Sequence, residues 1–361
     1  MFQRILVPLD GSERARCAVP VASRIARATG GTVVLLWVVG LPLESALTLI
    51  PSLPSASSQT MIEVEKAGAH RYLREIVASD DLAGVQAELE IHAGPVASTI
   101  MDIANVQHID LIILCRHGYT GGTRWGLGGV AEKVVYDAAV PILLLHSDKK
   151  PFLFQNKSSL RAMVPLDGSM QAEMAIEPAA HLIAALSTPA QGVLSLTQII
   201  KLPSPLPLDF VKDSQRLHYA QQQAMREVNA CFTVLIERLG RNIVPELKLM
   251  LTSSLLFGSD IAEALLDAME PYERGEGRLA PAYDLLVMST HGRGGLQHRI
   301  MGSIAGRMLH ATNLPIMIVP LSQSNRPAQA YQTRPADVAV GAGLAPALLP
   351  HTPALTVEGT V

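Results

Sequence analysis

The sequence predicts an α/β protein in which a doubly wound, five-stranded parallel-sheet unit occurs twice in tandem. Three observations carry the prediction. At 361 residues the chain is long enough for two domains of roughly 150 residues each. Short β-branched apolar runs alternate with longer segments of helical spacing, which is how parallel strands read when crossover helices cover both faces of the sheet. The whole pattern then comes round a second time.

The repeat rests on two blocks. Ile5-Leu6-Val7-Pro8-Leu9-Asp10-Gly11-Ser12 returns 157 residues later as Ala162-Met163-Val164-Pro165-Leu166-Asp167-Gly168-Ser169. Near the end of each half, His117-Gly118 precedes Gly128-Gly129-Val130-Ala131, and His291-Gly292 precedes Gly302-Ser303-Ile304-Ala305. Gly118 to Gly128 and Gly292 to Gly302 are the same distance, ten residues. Two blocks in one order with one spacing argue for duplication rather than chance.

In the first half, strands are expected at 5–9, 33–39, 85–91, 111–114 and 142–145, each covered on both faces. After the first strand, Ala18, Ala22 and Ile25 share a helix face. Pro20 there, and Pro178 in the second half, fall inside a predicted helix, where proline removes a hydrogen bond. The two units are expected at 1–147 and 160–321, joined by a linker at 148–159 that begins in the polar stretch Ser147-Asp148-Lys149-Lys150-Pro151. The second unit is longer, and residues 271–278 read as an inserted polar loop. Residues 322–361 read as a disordered Ala/Pro-rich tail. Its uncharged run at 338–357 carries three prolines and two glycines, too many breakers for a membrane span. Each unit's last strand, 142–145 or 316–319, is expected at an edge of its own sheet, and open edges must be paired or protected.

Composition removes several classes. A formal charge of −3 argues against a general nucleic-acid binder. Three scattered cysteines, Cys17, Cys115 and Cys231, exclude a disulfide framework or a Cys-rich zinc module and fit a reducing, cytoplasmic setting. The opening residues run straight into the first strand, so no signal peptide is expected.

Asp10 and Asp167 fall just past the first strand of each half, where an open parallel sheet binds ligands. A carboxylate there suits a ribose diol. Asp-Gly-Ser at a strand end is equally ordinary turn and helix-cap chemistry. The glycine blocks say more. Gly118 follows a predicted strand and Gly128-Gly129 opens a predicted helix. Glycine permits close approach or positive φ, and the unpaired N–H groups of a helix start favour an anion. Ser303 adds a hydroxyl, and Arg116, Arg124, Arg293 and Arg299 lie in or beside these loops. A solvated flexible loop is the competing reading. The strand–glycine loop–helix order, repeated at fixed spacing, favours a phosphate cradle.

On these residues each half resembles a universal stress protein domain, and the chain resembles a tandem-domain member of that family over roughly residues 3–146 and 160–320. The resemblance implies a Rossmann-like fold of the adenine nucleotide alpha hydrolase type. It also implies that Asp10 and Asp167 hold the ribose and that the backbones of Val38 and Ile199, ending the second strands, contact adenine. Gly118, Gly128, Gly292, Gly302 and Ser303 would hold the phosphates. The family's Gly-x-x-Gly is departed from at Cys115 and Ser289, which stand where its leading glycine does. Gly129 replaces the hydroxyl residue and keeps only its N–H, so the second site matches better.

The function expected is that of an ATP-binding stress-response switch, with magnesium accompanying ATP through phosphate oxygens. No catalytic base and no Gly-Lys-Ser/Thr loop are present. His291, His298 and His310 lack ligand spacing. Two alternatives stand beside it: a nucleotide-free dimerisation or partner-binding module, and a slow ATP hydrolase. Cys115 beside an anion site raises a redox reading, against the plainer one of a small residue filling a strand end. Trp125 would cover the site or pack on a partner. The resemblance further implies that the two halves pair through their last strands and that the chain forms homodimers. No nucleic-acid or membrane partner is expected.

Overall fold

The computed structural model describes residues 1–40, 55–117, 127–146, 159–201, 214–269, 272–274, 278–280, 282–290, 301–321 and 359–360. One large sheet runs through them. The first half contributes β1 (Arg4–Leu9), β2 (Thr32–Val39), β3 (Gln86–Ala93), β4 (Leu111–Cys115) and β5 (Ile142–Leu145). They stand in the order β3-β2-β1-β4-β5, all parallel. The second half contributes β6 (Arg161–Leu166), β7 (Val193–Lys201), β8 (Met250–Gly258), β11 (Leu285–Ser289) and β12 (Ile316–Val319). Their order, β8-β7-β6-β11-β12, is the same arrangement and again parallel. Each half is thus doubly wound, with its switch point between its first and fourth strands.

Helices fill the crossovers. In the first half these are α1 (Glu13–Arg16), α2 (Ala18–Thr29), α3 (Ser55–Val77), α4 (Val96–Val106) and α5 (Gly129–Asp137). In the second they are α6 (Met170–Glu173), α7 (Ile176–Ser187), α8 (Ser214–Arg241), α9 (Ile243–Leu247), α10 (Ile261–Met269) and α11 (Ser303–Ala311). Their buried stripes follow helical spacing: Ala69, Leu73 and Ile76 on α3, and Phe232, Leu235 and Leu239 on α8. On α5 Ala131, Val134 and Val135 are buried, and on α11 Ala305, Met308 and Leu309. The result is one apolar core on each face of the sheet, each continuous through both halves.

Both prolines sit where a helix tolerates them. Cys17 is the N-cap of α2 and Ala175 that of α7, so Pro20 and Pro178 fall in the first turn, whose N–H groups lack intrahelical partners. The helix predicted after each first strand is accordingly broken, into α1 and α2 and into α6 and α7.

The halves meet at β5 and β12, which pair antiparallel with Leu144 opposite Ile316, Leu143 opposite Met317 and Ile142 opposite Ile318. Both are central in the sheet and wholly buried. The opposite ends of both halves are pinned alike. The Asp110 carboxylate accepts the main-chain N–H groups of Gln3 (2.7 Å) and Arg4 (3.2 Å), and Asp284 accepts that of Arg161 (2.9 Å).

Three expectations change. β3 was expected to be covered on both faces, yet it is an edge strand whose interior residues are half-buried. Its polar side chains alternate with apolar ones and find partners: Glu88 pairs with Arg4 (2.7 Å) and Glu90 with His92 (2.7 Å). The inserted polar loop contains an antiparallel pair, β9 (Tyr272–Arg274) with β10 (Arg278–Ala280). Of the tail, residues 322–358 and 361 lie outside the described residues, while β13 (Gly359–Thr360) pairs antiparallel with β8.

Candidate functional site

The carboxyl ends of β1 and β6 carry the same turn. Gly11 and Gly168 are in the left-handed region, at φ +81° and +77°. A Cβ on Gly11 would also meet the Trp37 ring at 3.0 Å, so both conformation and space demand glycine. Ser12 caps α1 by accepting the Ala15 N–H at 3.1 Å, and it donates from both Oγ (2.6 Å) and N (3.0 Å) to Asp10 Oδ1. Ser169 does the same for α6 and Asp167, at 3.2, 2.5 and 2.9 Å. The cap-and-turn chemistry is therefore present in both halves. It fixes each carboxylate through its Oδ1.

Strand register places Val38 and Ile199 in equivalent positions. Trp37 lies opposite Leu9 and Gln198 opposite Leu166, so each next residue stands one step beyond, level with its half's aspartate. Val38 is the penultimate residue of β2. β7 continues two residues past Ile199, to Lys201. Trp37 packs edge-on against Tyr72 of α3, with centroids 5.4 Å apart.

The glycine loops follow β4 and β11. Gly118, Arg124, Trp125, His291, Gly292, Arg293, His298 and Arg299 lie outside the described residues. Their far ends are described. Gly128 is the N-cap of α5 and Gly302 that of α11, and Gly129 and Ser303 are the first helical residues. Neither helix start has a side-chain cap. The N–H of Gly128 donates to the Arg116 carbonyl, and that of Gly302 to the Thr290 carbonyl, both at 2.8 Å. Gly128 has φ −66°, so its value lies in close approach rather than in positive φ. A Cβ there would stand 3.0 Å from the Arg116 carbonyl oxygen.

Two features escaped the sequence reading. The first is Arg116, read as a loop cation. It is 2% exposed, and its Nε and Nη2 have no hydrogen-bond partner among the described residues. Burial pushes its pKa down to about 10. The second is a thiol pair. Cys115, ending β4, is buried, and its Sγ lies 2.6 Å from that of half-buried Cys17. Position 116 in isolation reads as loop charge, and Cys17 and Cys115 are 98 residues apart, so the meeting of the two sulfurs follows only from the β1–β4 pairing. His310 is exposed on α11. Among the described residues no three His, Cys, Asp or Glu side chains converge as a metal site, and no helix is long and apolar enough to cross a membrane.

Comparison with known proteins converges on one family. The model of the universal stress protein family matches residues 1–146 and 280–320. A universal stress protein of Methanocaldococcus jannaschii is 30% identical over 156 residues, covering 42% of this chain and 85% of that protein. One of Mycobacterium tuberculosis is 24% identical over 261 residues, covering 70% of this chain and 74% of that protein. Among solved structures, the crystal structure of a universal stress protein from Archaeoglobus fulgidus superposes with a TM-score of 0.56 at 18% identity. That superposition covers 89% of this chain and 99% of that one, a likeness of fold.

Proposed function

The chain belongs to the universal stress protein family, and from that premise we propose that it is an ATP-binding module whose two crevices each take an adenine nucleotide as a regulatory ligand. The observation that carries the reading is Arg116: a buried guanidinium with two nitrogens unpaired among the described residues, at the end of β4 and tied through its carbonyl to a helix start without a side-chain cap. An uncompensated buried cation and a helix N-terminus both call for an anion, and a phosphate chain supplies one.

In this reading Asp10 and Asp167, oriented at the strand ends by Ser12 and Ser169, accept the ribose hydroxyls. The backbones of Val38 and Ile199 receive adenine. The amides at Gly128 and Gly129 and at Gly302 and Ser303, with Gly118 and Gly292, hold the phosphates. Ser303 adds its hydroxyl in the second crevice. Arg116 offsets the hydroxyl missing at Gly129 in the first. Magnesium accompanies ATP through phosphate oxygens. The domains divide at 1–147 and 160–321, and the halves act as an internal pseudo-dimer. The β5–β12 register supports this: it is centred on Leu143 opposite Met317, the third-from-last positions of their runs' equivalent strands.

The test is mass spectrometry of ligand released from the purified, heat-denatured chain. ATP or ADP should appear. The double variant Gly128→Arg with Gly302→Arg should lose most of it, because a side chain at each N-cap blocks the helix start. Full occupancy in that double variant overturns the assignment.

A further inference from the structure

Cys17 and Cys115 are brought together by the topology. β1 and β4 are parallel neighbours, so the turn after β1 carries the α1–α2 junction, with Cys17 on it, across the end of β4. The two Sγ atoms are 2.6 Å apart, and Cys115 Sγ also donates to the Arg14 carbonyl at 2.7 Å. A disulfide needs them only about half an ångström closer. Access is divided between them: Cys17 is half-buried and Cys115 is buried. The contact between the two sulfurs lowers the Cys17 pKa, and the same contact, with burial, raises that of Cys115. The thiolate therefore forms on the sulfur that solvent reaches. At the corresponding places the second half has Met174 and Ser289, so the arrangement occurs once.

We propose that Cys17 and Cys115 are a redox-active pair that closes to a reversible disulfide by exchange with low-molecular-weight disulfides. The Cys17 thiolate attacks one sulfur of the reagent. A Cys17 mixed disulfide forms and one reagent thiolate leaves. Cys115 then gives its proton to solvent and attacks Cys17 Sγ, and the second reagent thiolate leaves. The two protein thiols are oxidised, one reagent disulfide is reduced, and the products are one protein disulfide and two reagent thiols. The inference stands whether or not the crevices hold nucleotide.

The test uses the folded full-length Cys231→Ser chain, so that exposed Cys231 does not contribute, and oxidised glutathione as the probe. Both remaining thiols should disappear, with the mass falling by two hydrogens and no adduct retained. Peptide mapping should join Cys17 to Cys115, and dithiothreitol should restore both thiols. In the same background Cys115→Ser should trap one glutathione on Cys17, while Cys17→Ser should leave Cys115 unreacted, both with the parent's far-ultraviolet dichroism. The proposal is overturned if the parent's thiols react only in urea, if glutathione stays on Cys17 in the parent, or if mapping finds no Cys17–Cys115 link.

Discussion

Replacing Arg116 with methionine should make the nucleotide-stripped protein more stable and its ligand binding weaker. Methionine keeps a long unbranched stem and removes the charge. Burial lowers the guanidinium pKa from its ordinary value to about 10, a penalty on the charged form of about 3 kcal/mol at neutral pH. The sign follows from the direction. A cation whose folded pKa is depressed costs the fold stability wherever it is charged, so the penalty is fully present below pH 10 and lifts as pH rises above about 10 toward the ordinary guanidinium range. Structural relaxation takes back part of the gain, so Arg116→Met should raise the urea-derived stability of the stripped protein by about 1–3 kcal/mol at pH 7. The advantage should narrow above pH 10. With ATP the order reverses. Loss of a charge-assisted hydrogen bond is worth about 1.5–3 kcal/mol, roughly a ten- to 150-fold weaker Kd by calorimetry. If the variant is less stable when stripped and binds ATP unchanged, Arg116 is a structural partner of the fold and the anion argument fails.

Gly11→Ala should cost about 1–2 kcal/mol for the left-handed backbone and shift Trp37 fluorescence, since its Cβ would press on that ring at 3.0 Å. Unchanged emission would show that the ring is not packed there. Leu143→Ala, wholly buried opposite Met317, should cost about 2–5 kcal/mol in urea unfolding; a loss under about 1 kcal/mol would contradict the packing of that seam. Hydrogen bonding to Arg4 lowers the Glu88 pKa, so the pair's stability is present above the ordinary carboxylate range and is lost as pH falls through the lowered value. Because Glu88 is 38% exposed, Glu88→Gln should cost only about 0.2–1 kcal/mol at pH 7, and the gap from the parent should close at acid pH.

Strands were the most legible elements, because a parallel strand covered on both faces has no polar positions to blur it: β1, β2, β4 and β5 fall on the apolar runs within a residue. β3 misled for the complementary reason. Val85-Gln86-Ala87-Glu88-Leu89-Glu90-Ile91 alternates, and alternation signals an edge with one wetter face. Pro20 and Pro178 were the true helix-boundary signals, read first as blemishes in one long helix. At the site, position was legible and environment was not. Asp-Gly-Ser and Gly-Gly could be placed at strand ends and helix starts from spacing alone. Whether Arg116 is solvated or buried depends on what packs over it, and whether two cysteines meet depends on strand order. Neither is a property of a local window.

The two halves differ in what they offer beside the helix start that follows each glycine loop. Where the second half offers a hydroxyl at Ser303 and a neutral Thr290, the first offers Gly129 and the buried Arg116. A hydroxyl brings no charge of its own, whereas a buried cation responds to the ligand's net charge. On the proposed reading the two crevices therefore differ in how they rank ATP against AMP. Gly302→Arg leaves the first crevice to be measured alone and Gly128→Arg leaves the second. The first should prefer ATP over AMP by a ratio about tenfold larger than the second does, which corresponds to about 1.4 kcal/mol from the full charge on Arg116. Equal ratios in the two variants would mean that Arg116 does not reach the phosphates, and its buried charge would then need another counterpart in the fold.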